Sequence, residues 1–452
     1  MKFKIIAIFT IFFLIIGGIF LNNYYKETIE EVYHQHLEDN NNEIGCQYVE
    51  NCSHLPIINI DTLNQQIPTI KNDEKSYIDT KITIYDGGKH VSILGINGTK
   101  YNAKIRIRGR SSYGFNKRSY AIKLLDENNK NLNAAFLGMP EDNSWVLYGP
   151  YLDRTLIRNY MWYNISQEIM TSAPQTRFVE LYINKEYKGL YLAVEAVSQN
   201  EKSRVKITKQ NKDSIATSYI LQLDENKEDD IIIESQIKTE YPLTIEYPKI
   251  EDLSDETIQY INDDYYKIEE KIYSGKYKEY SKYIDVYSFA DYFIINEFTL
   301  NLDMGSLSTY LYKDVSGKLK LYVWDFNLAN NNYDFDCLEK QSFAHINKIW
   351  YKALLRSPEF VEIVIDRYRK LRTTYLSETY LFNYIDATVK YLGPAIDRNY
   401  EVWDEMLKGP IKYMPTITNP RSHKEAISQL KDAIHQRGQW MDENIESLRN
   451  LH

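Results

Sequence analysis

The sequence predicts an α+β fold, strand-rich toward the N-terminus and helix-rich toward the C-terminus. Three observations predict it. Between Leu55 and Glu195, short segments alternate apolar and polar residues at the period of half-buried strands. Beyond about residue 200, apolar residues recur at helical spacing instead. One strand-like stretch, Asn301 to Asn327, interrupts that helical half and carries an aspartate near each end.

In chain order, "LPIINIDT", "TKITIYD", "AKIRIRG", "RSYAIKL", "FVELYIN" and "KGLYLAVE" read as strands. The last two are joined by a turn at Asn184 to Glu186 and form a hairpin. Before them, "YLDRTLIRNYMWYNISQEIM" places Leu156, Ile157, Met161, Ile165 and Ile169 near helical spacing, with Asp153 as the expected N-cap. In "IDVYSFADYFIINEF", Val286, Phe289, Phe293 and Ile294 share a helical face. Residues 345–400 and 422–450 also read as helices. The interrupting stretch is a hairpin, "TYLYK" and "KLKLYVW" around the turn "DVSG", where Gly317 tolerates a positive φ.

The N-terminus sets the compartment. Lys2 and Lys4 precede an apolar run from Ile5 to Leu21, with no small-residue cleavage site close behind. This reads as a signal anchor over residues 1–24, with the rest of the chain outside the membrane; a cleaved signal peptide is the alternative and gives the same sidedness. Residues 25–54 are polar, with "EDNNNE" in the middle, and read as an extracytoplasmic stalk. In that compartment Cys46 and Cys52 could close a small disulfide loop, leaving Cys337 over. Cysteine and histidine spacings do not match a zinc site or a nucleophile–histidine pair. The formal charge of −9 argues against nucleic acid as a partner and suits a basic protein weakly.

Two regions could carry chemistry. Folding the Asn301–Asn327 hairpin brings Asp303 and Asp325 together, on the order of 10 Å apart. One carboxylate could then accept a proton from a hydroxyl while the other holds Mg²⁺ against phosphate oxygens, with Asn301 and Asn327 as neutral ligands or orienting amides. Turn capping is the bland alternative for both aspartates. The second region, "KIRIRGRSSYGFNKRSYAIKL", is a basic island in an acidic chain. Gly109 and Gly114 let backbone N–H groups approach an anion, flanked by Arg108, Ser111, Ser112, Lys117 and Lys123. A solvated hairpin tip is the bland reading there. Glu195 ends a strand where two lobes would join, and backbone at such a junction can pair with a planar base.

The blocks "RIRGRSSYGFNKRSYAIKL", "WVLYGPYLDRTLIRNYMWYNIS", "VELYINKEYKGLYLAVEAV", "NEFTLNLDMGSLSTYLYKD" and "LKLYVWDFNLA", in this order, resemble the CotH family of spore-coat-protein-H-like atypical protein kinases. The resemblance covers roughly residues 55–405. It implies a divergent protein-kinase-like fold with a strand-rich N-lobe, 55–196, and a helix-rich C-lobe, 197–452. ATP and Mg²⁺ or Mn²⁺ would lie between them. Phosphate would pass to serine side chains of a surface or spore-coat protein. Asp303 matches the catalytic-loop aspartate and Asp325, in "WDFN", the metal-binding one. The basic block matches the nucleotide-phosphate region, with Lys123 preferred slightly over Lys117 as the phosphate-contacting lysine.

Two positions depart from the family. Asn327 stands where a second aspartate is common, and Ser308 where asparagine is frequent. Both changes weaken a second metal site. The alternative they motivate is a pseudokinase that binds nucleotide and serves as a surface or coat-assembly protein. A metal-dependent phosphohydrolase using the same aspartates is a third reading.

Overall fold

The computed structural model describes residues 32–38, 46, 51–68, 77–88, 90–109, 112–170, 172–199, 205–211, 213–225, 230–237, 239–332, 341–410 and 419–451. The chain forms two compact units, Met1–His34 and Gln35–His452, and the elements below belong to the second. The expected anchor, Ser111 and Cys337 lie outside the described residues. Among the described residues, no helix is long and apolar enough to cross a membrane.

The strand-rich region is a closed barrel. Its strands are β1 (Ile57–Asp61), β2 (Ile78–Tyr85), β3 (Thr99–Arg108), β4 (Ser119–Leu125), β5 (Ser144–Tyr148), β6 (Thr176–Ile183) and β7 (Glu186–Glu195). The order is β6-β7-β5-β4-β3-β2-β1, and β1 closes it by pairing parallel to β6. Ile82, Ile84, Ile105, Ile107, Ile122, Leu124, Val179 and Leu181 fill the interior, which is why these strands alternate in sequence. The β6–β7 turn is as expected, with Asn184 and Lys185 at φ 53° and 66°.

One side of the barrel is covered by α1 (Arg158–Ile169), which explains why β6 and β7 are buried on both faces. Phe178, Leu190, Leu192 and Val194 point outward there and join a core shared with Tyr160, Met161 and Ile165. The expected N-cap is corrected in part. The helix starts at Arg158, and Ile157 at its N-cap supplies no side-chain bond. Asp153 still serves the terminus from five residues upstream: its Oδ2 accepts from the Arg158 N–H (2.8 Å) and its Oδ1 from Arg158 Nη1 (2.5 Å).

The remainder combines a five-stranded sheet with helices. The strands are β8 (Tyr219–Leu223), β9 (Ile232–Ile233), β10 (Leu243–Tyr247), β11 (Thr309–Lys313) and β12 (Lys320–Tyr322), in the order β9-β10-β8-β11-β12. The predicted hairpin is β11–β12, with Leu311 opposite Leu321. Gly317 does not use a positive φ. A Cβ there would lie 3.1 Å from Asp314 Cβ, so closeness is what the turn asks of it. The main helices are α2 (Asp255–Tyr273), α3 (Val286–Thr299), α4 (Pro358–Arg372), α5 (Glu378–Leu392), α6 (Pro394–Val402) and α7 (His423–Asn444). Helix α3 is buried on nearly every face, beyond the single stripe predicted, and Asp285 caps it through the Ser288 N–H (3.1 Å).

The expected stalk differs where it is described. Gln35 and His36 are buried. Gln35 Oε1 accepts from the Phe178 N–H (2.6 Å) and Nε2 donates to Phe178 O (3.2 Å), so the amide replaces a strand neighbour for β6. Tyr160 OH receives the His36 N–H (3.1 Å). Cys46 and Cys52 form the anticipated disulfide, with Cα atoms 5.3 Å apart. Gln35→Leu would leave a buried N–H and C=O unpaired. It should cost about 1–3 kcal/mol in urea unfolding; unchanged stability would show that residues near Gln35 do not hold the fold.

Candidate functional site

Asp325 follows β12 and is gripped by α1. Asn159 Nδ2 donates to Asp325 Oδ1 (3.4 Å), while Asn159 Oδ1 accepts from the Phe326 N–H (2.6 Å). Tyr163 OH accepts from the Asp325 N–H (2.9 Å). One turn of helix thus holds two consecutive residues of the loop. The grip continues: Arg158 Nε donates to Ala329 O (3.0 Å) and Trp162 Nε1 to Asn330 Oδ1 (2.6 Å). Asp325 sits at φ 54°, a left-handed conformation costing a non-glycine residue about 1–2 kcal/mol. These bonds offset that cost. Phe326, fully buried, and Trp324 anchor either side.

Asp303 lies on the loop that links α3 to β11. Leu300, Gly305 and Ser308 are all left-handed there, at φ 49°, 70° and 50°. The Asp303 carbonyl accepts from the N–H groups of Ser306 (3.0 Å) and Leu307 (2.8 Å), which closes a tight turn. Asn301 ties this loop to the other: its Nδ2 donates to Asp325 O (3.1 Å) and to Asn296 Oδ1 (3.0 Å). The hairpin does bring the aspartates into one electrostatic unit. Burial first, then the charges of Asp325 and Asp224, push the Asp303 carboxyl up to about 7, against a smaller downward pull from Lys348. Burial also raises Asp325, opposed by the Asn327 N–H, Asn159 and Arg108.

Two of these neighbours carried no sequence signal. Asp224 follows β8, which pairs with β11, and its Oδ2 accepts from the Ser308 N–H (3.3 Å). Lys348 donates to Ser306 Oγ (2.8 Å). Both arrive by tertiary folding, and Lys348 lies in a turn at the start of the 345–400 stretch that reads as helix in the sequence.

The basic block divides. Arg108, at the end of β3, lies over the Trp324 ring (5.4 Å) and its charge reaches Asp325. Lys123 is on the same outer face, paired with Lys104 four residues back along β3, with its ammonium over the Tyr77 ring (5.1 Å). That is about 13 Å along the strand from Arg108. Lys117 is wholly buried. It donates to Leu190 O (2.7 Å) and Asn399 Oδ1 (2.6 Å), and burial holds its ammonium well below the usual lysine range. Ser112 opens a short 3₁₀ turn, Ser112–Gly114. Glu195 is buried, its Oε2 accepting from the Gln175 N–H (3.1 Å), and its own N–H is spent on Gln175 O (3.0 Å). Asn327 donates its N–H to Asp325 Oδ1 (3.2 Å).

Among the described residues, no three His, Cys, Asp or Glu side chains converge as a self-sufficient metal site. The donors near Asp325 are oxygens, and Asn301 Oδ1 is buried without a hydrogen-bond partner. That set fits Mg²⁺ or Mn²⁺ completed by phosphate oxygens and water, since Mg²⁺ commonly takes only one or two carboxylates from protein.

A family model described as CotH kinase protein matches residues 105–441. Inner spore coat protein H of Bacillus subtilis (strain 168) is 22% identical over 281 residues, covering 62% of this chain and 70% of that protein.

The raised Asp303 carboxyl has a thermodynamic consequence. Its proton is bound more tightly in the folded state, so folding stability is lost as pH rises from the ordinary carboxylate range through about 7. Asp303→Asn removes that loss. Thermal melts should show the variant near wild type at about pH 4 and more stable, by on the order of 1 kcal/mol after solvent screening, at about pH 8. A variant less stable than wild type at the higher pH would contradict this electrostatic account.

Proposed function

The chain belongs to the CotH kinase protein family, and we propose that it is a metal-dependent protein kinase acting on serine hydroxyls of a coat or surface protein. What carries the reading is the unequal hydrogen bonding of two neighbouring aspartates, both raised by burial. Asp325 accepts from Asn159 and the Asn327 N–H, as a fixed ligand requires. Asp303 has a carboxyl raised to about 7, as a base near neutral pH requires. The family implies two kinase-like lobes, and the barrel and the helical region are the candidates for them.

In this reading Asp325, with Asn327, holds the metal, which neutralises phosphate charge when bound. Arg108 supplies cationic charge on the Asp325 side. Asp303 orients the acceptor serine and takes its proton. The serine Oγ bonds to the γ-phosphorus of ATP, the bond from that phosphorus to the β–γ bridging oxygen breaks, and ADP leaves. Little covalent work falls to the protein, since positioning and charge neutralisation dominate such transfers. Similarity to an inner spore coat protein supports a coat or surface location.

Ser308 and Asn327 favour a second reading, a nucleotide-binding coat-assembly protein without turnover. Incubation with γ-labelled ATP, Mg²⁺ or Mn²⁺ and a serine-rich basic protein separates the two. The kinase reading expects label on protein from wild type, and a loss of at least about 100-fold in Asp303→Ala and in Asp325→Ala. Nucleotide-dependent thermal stabilisation without labelling would select the second reading. Equal labelling by wild type and Asp325→Ala would overturn the site.

A further inference from the structure

The charge of Lys348 acts on Asp303 from a loop that none of the resemblance blocks contains. Its Nζ donates to Ser306 Oγ (2.8 Å), and the Ser306 N–H closes the turn on Asp303 O. The two loops meet closely. A Cβ on Gly305, itself at φ 70°, would lie 3.4 Å from Lys348 Cβ and 3.1 Å from Ile349 Cγ2. Lys348 forms no ion pair among the described residues, although its charge acts on Asp303. An ammonium has three donors, and the Ser306 hydroxyl occupies one.

The charges around the site are ordered. Asp224, Asp303 and Asp325 influence one another as like charges. Arg108 acts on Asp325, and Lys348 acts on Asp303. Phosphate entering such a site meets repulsion unless cations stand along its route. Arg108 meets that need on the Asp325 side; the Asp303 side has Lys348, held in place but without a carboxylate in direct contact.

We propose that Lys348 binds an oxygen of the phosphoryl group that passes to the acceptor at Asp303. The assignment rests on the phosphotransferase reading of the site. It makes Lys348 a reader of the terminal phosphate, so it must separate ATP from ADP.

The test is equilibrium binding of Mg-ATP and Mg-ADP to the full chain as wild type, Lys348→Met and Lys348→Arg. Loss of a charge-assisted hydrogen bond should weaken ATP about tenfold or more in Lys348→Met, while ADP changes less than about twofold. Lys348→Arg keeps the charge and should retain most of the discrimination, which also guards against a folding defect. An ATP-to-ADP ratio unchanged in Lys348→Met, with both affinities intact or both reduced together, overturns the assignment while leaving the nucleotide site standing. Wild type that binds neither nucleotide overturns the phosphotransferase reading, and this assignment with it.

Discussion

The side-chain amide of Asn159 is the contact on which the site depends. It holds the carboxylate of Asp325 and the backbone of Phe326 at once. Asp325 is left-handed without being glycine, and such a conformation persists only where its surroundings over-determine it. Helix α1 does so with four residues, Arg158, Asn159, Trp162 and Tyr163, each bonded to a different part of the loop. The helix can spend polar side chains this way because the barrel and the helical region bury it on both sides. Its Asp153–Arg158 ion pair is itself buried, so the start of the helix has little freedom to shift.

The rest of the molecule fixes that helix and delivers the other charges. The outward faces of β6 and β7 are apolar where α1 lies, so the barrel presses it toward the loop. The end of β3 delivers Arg108, the end of β8 delivers Asp224, and the α3–β11 loop delivers Asp303. Elsewhere, buried ion pairing secures α7 to α3. Arg437 Nη2 donates to Glu297 Oε1 (2.5 Å), and the Ala344 and His345 N–H groups also bond Glu297. The segment carrying Lys348 is thereby tied to the helix that leads into the Asp303 loop.

The strands were legible because one face is buried. Ile82 and Ile84, or Ile105 and Ile107, leave a period of two in the sequence. The β11–β12 hairpin, although β11 is buried on both faces, was legible from its strand-like residues around the turn "DVSG", and with it the meeting of Asp303 and Asp325. The N-cap was misjudged because Asp153 serves Arg158 through a loop rather than from the adjoining position. Docking at Gln35 and His36 left no apolar pattern, since both residues are polar and are held by hydrogen bonds and by the packing of His36 against the Tyr384 ring. Lys117 and Lys123 stand close together in one basic block, yet one lies in the interior and the other on an outer barrel face. Lys117 precedes β4 and turns inward to Leu190 O and Asn399 Oδ1, partners that only tertiary folding supplies. Asp224 and Lys348 were out of reach because only tertiary folding brings them to the site.

The central claim is that α1 sets the competence of Asp325. The direct measurement is Mn²⁺ affinity in the presence of ATP, read by electron paramagnetic resonance, for wild type and Asn159→Ala. Removing the support of a metal ligand typically weakens binding about 10–100-fold. The account predicts a loss in that range in a variant that remains folded. Mn²⁺ affinity equal to wild type would contradict it, because Asp325 would then hold its position without the helix.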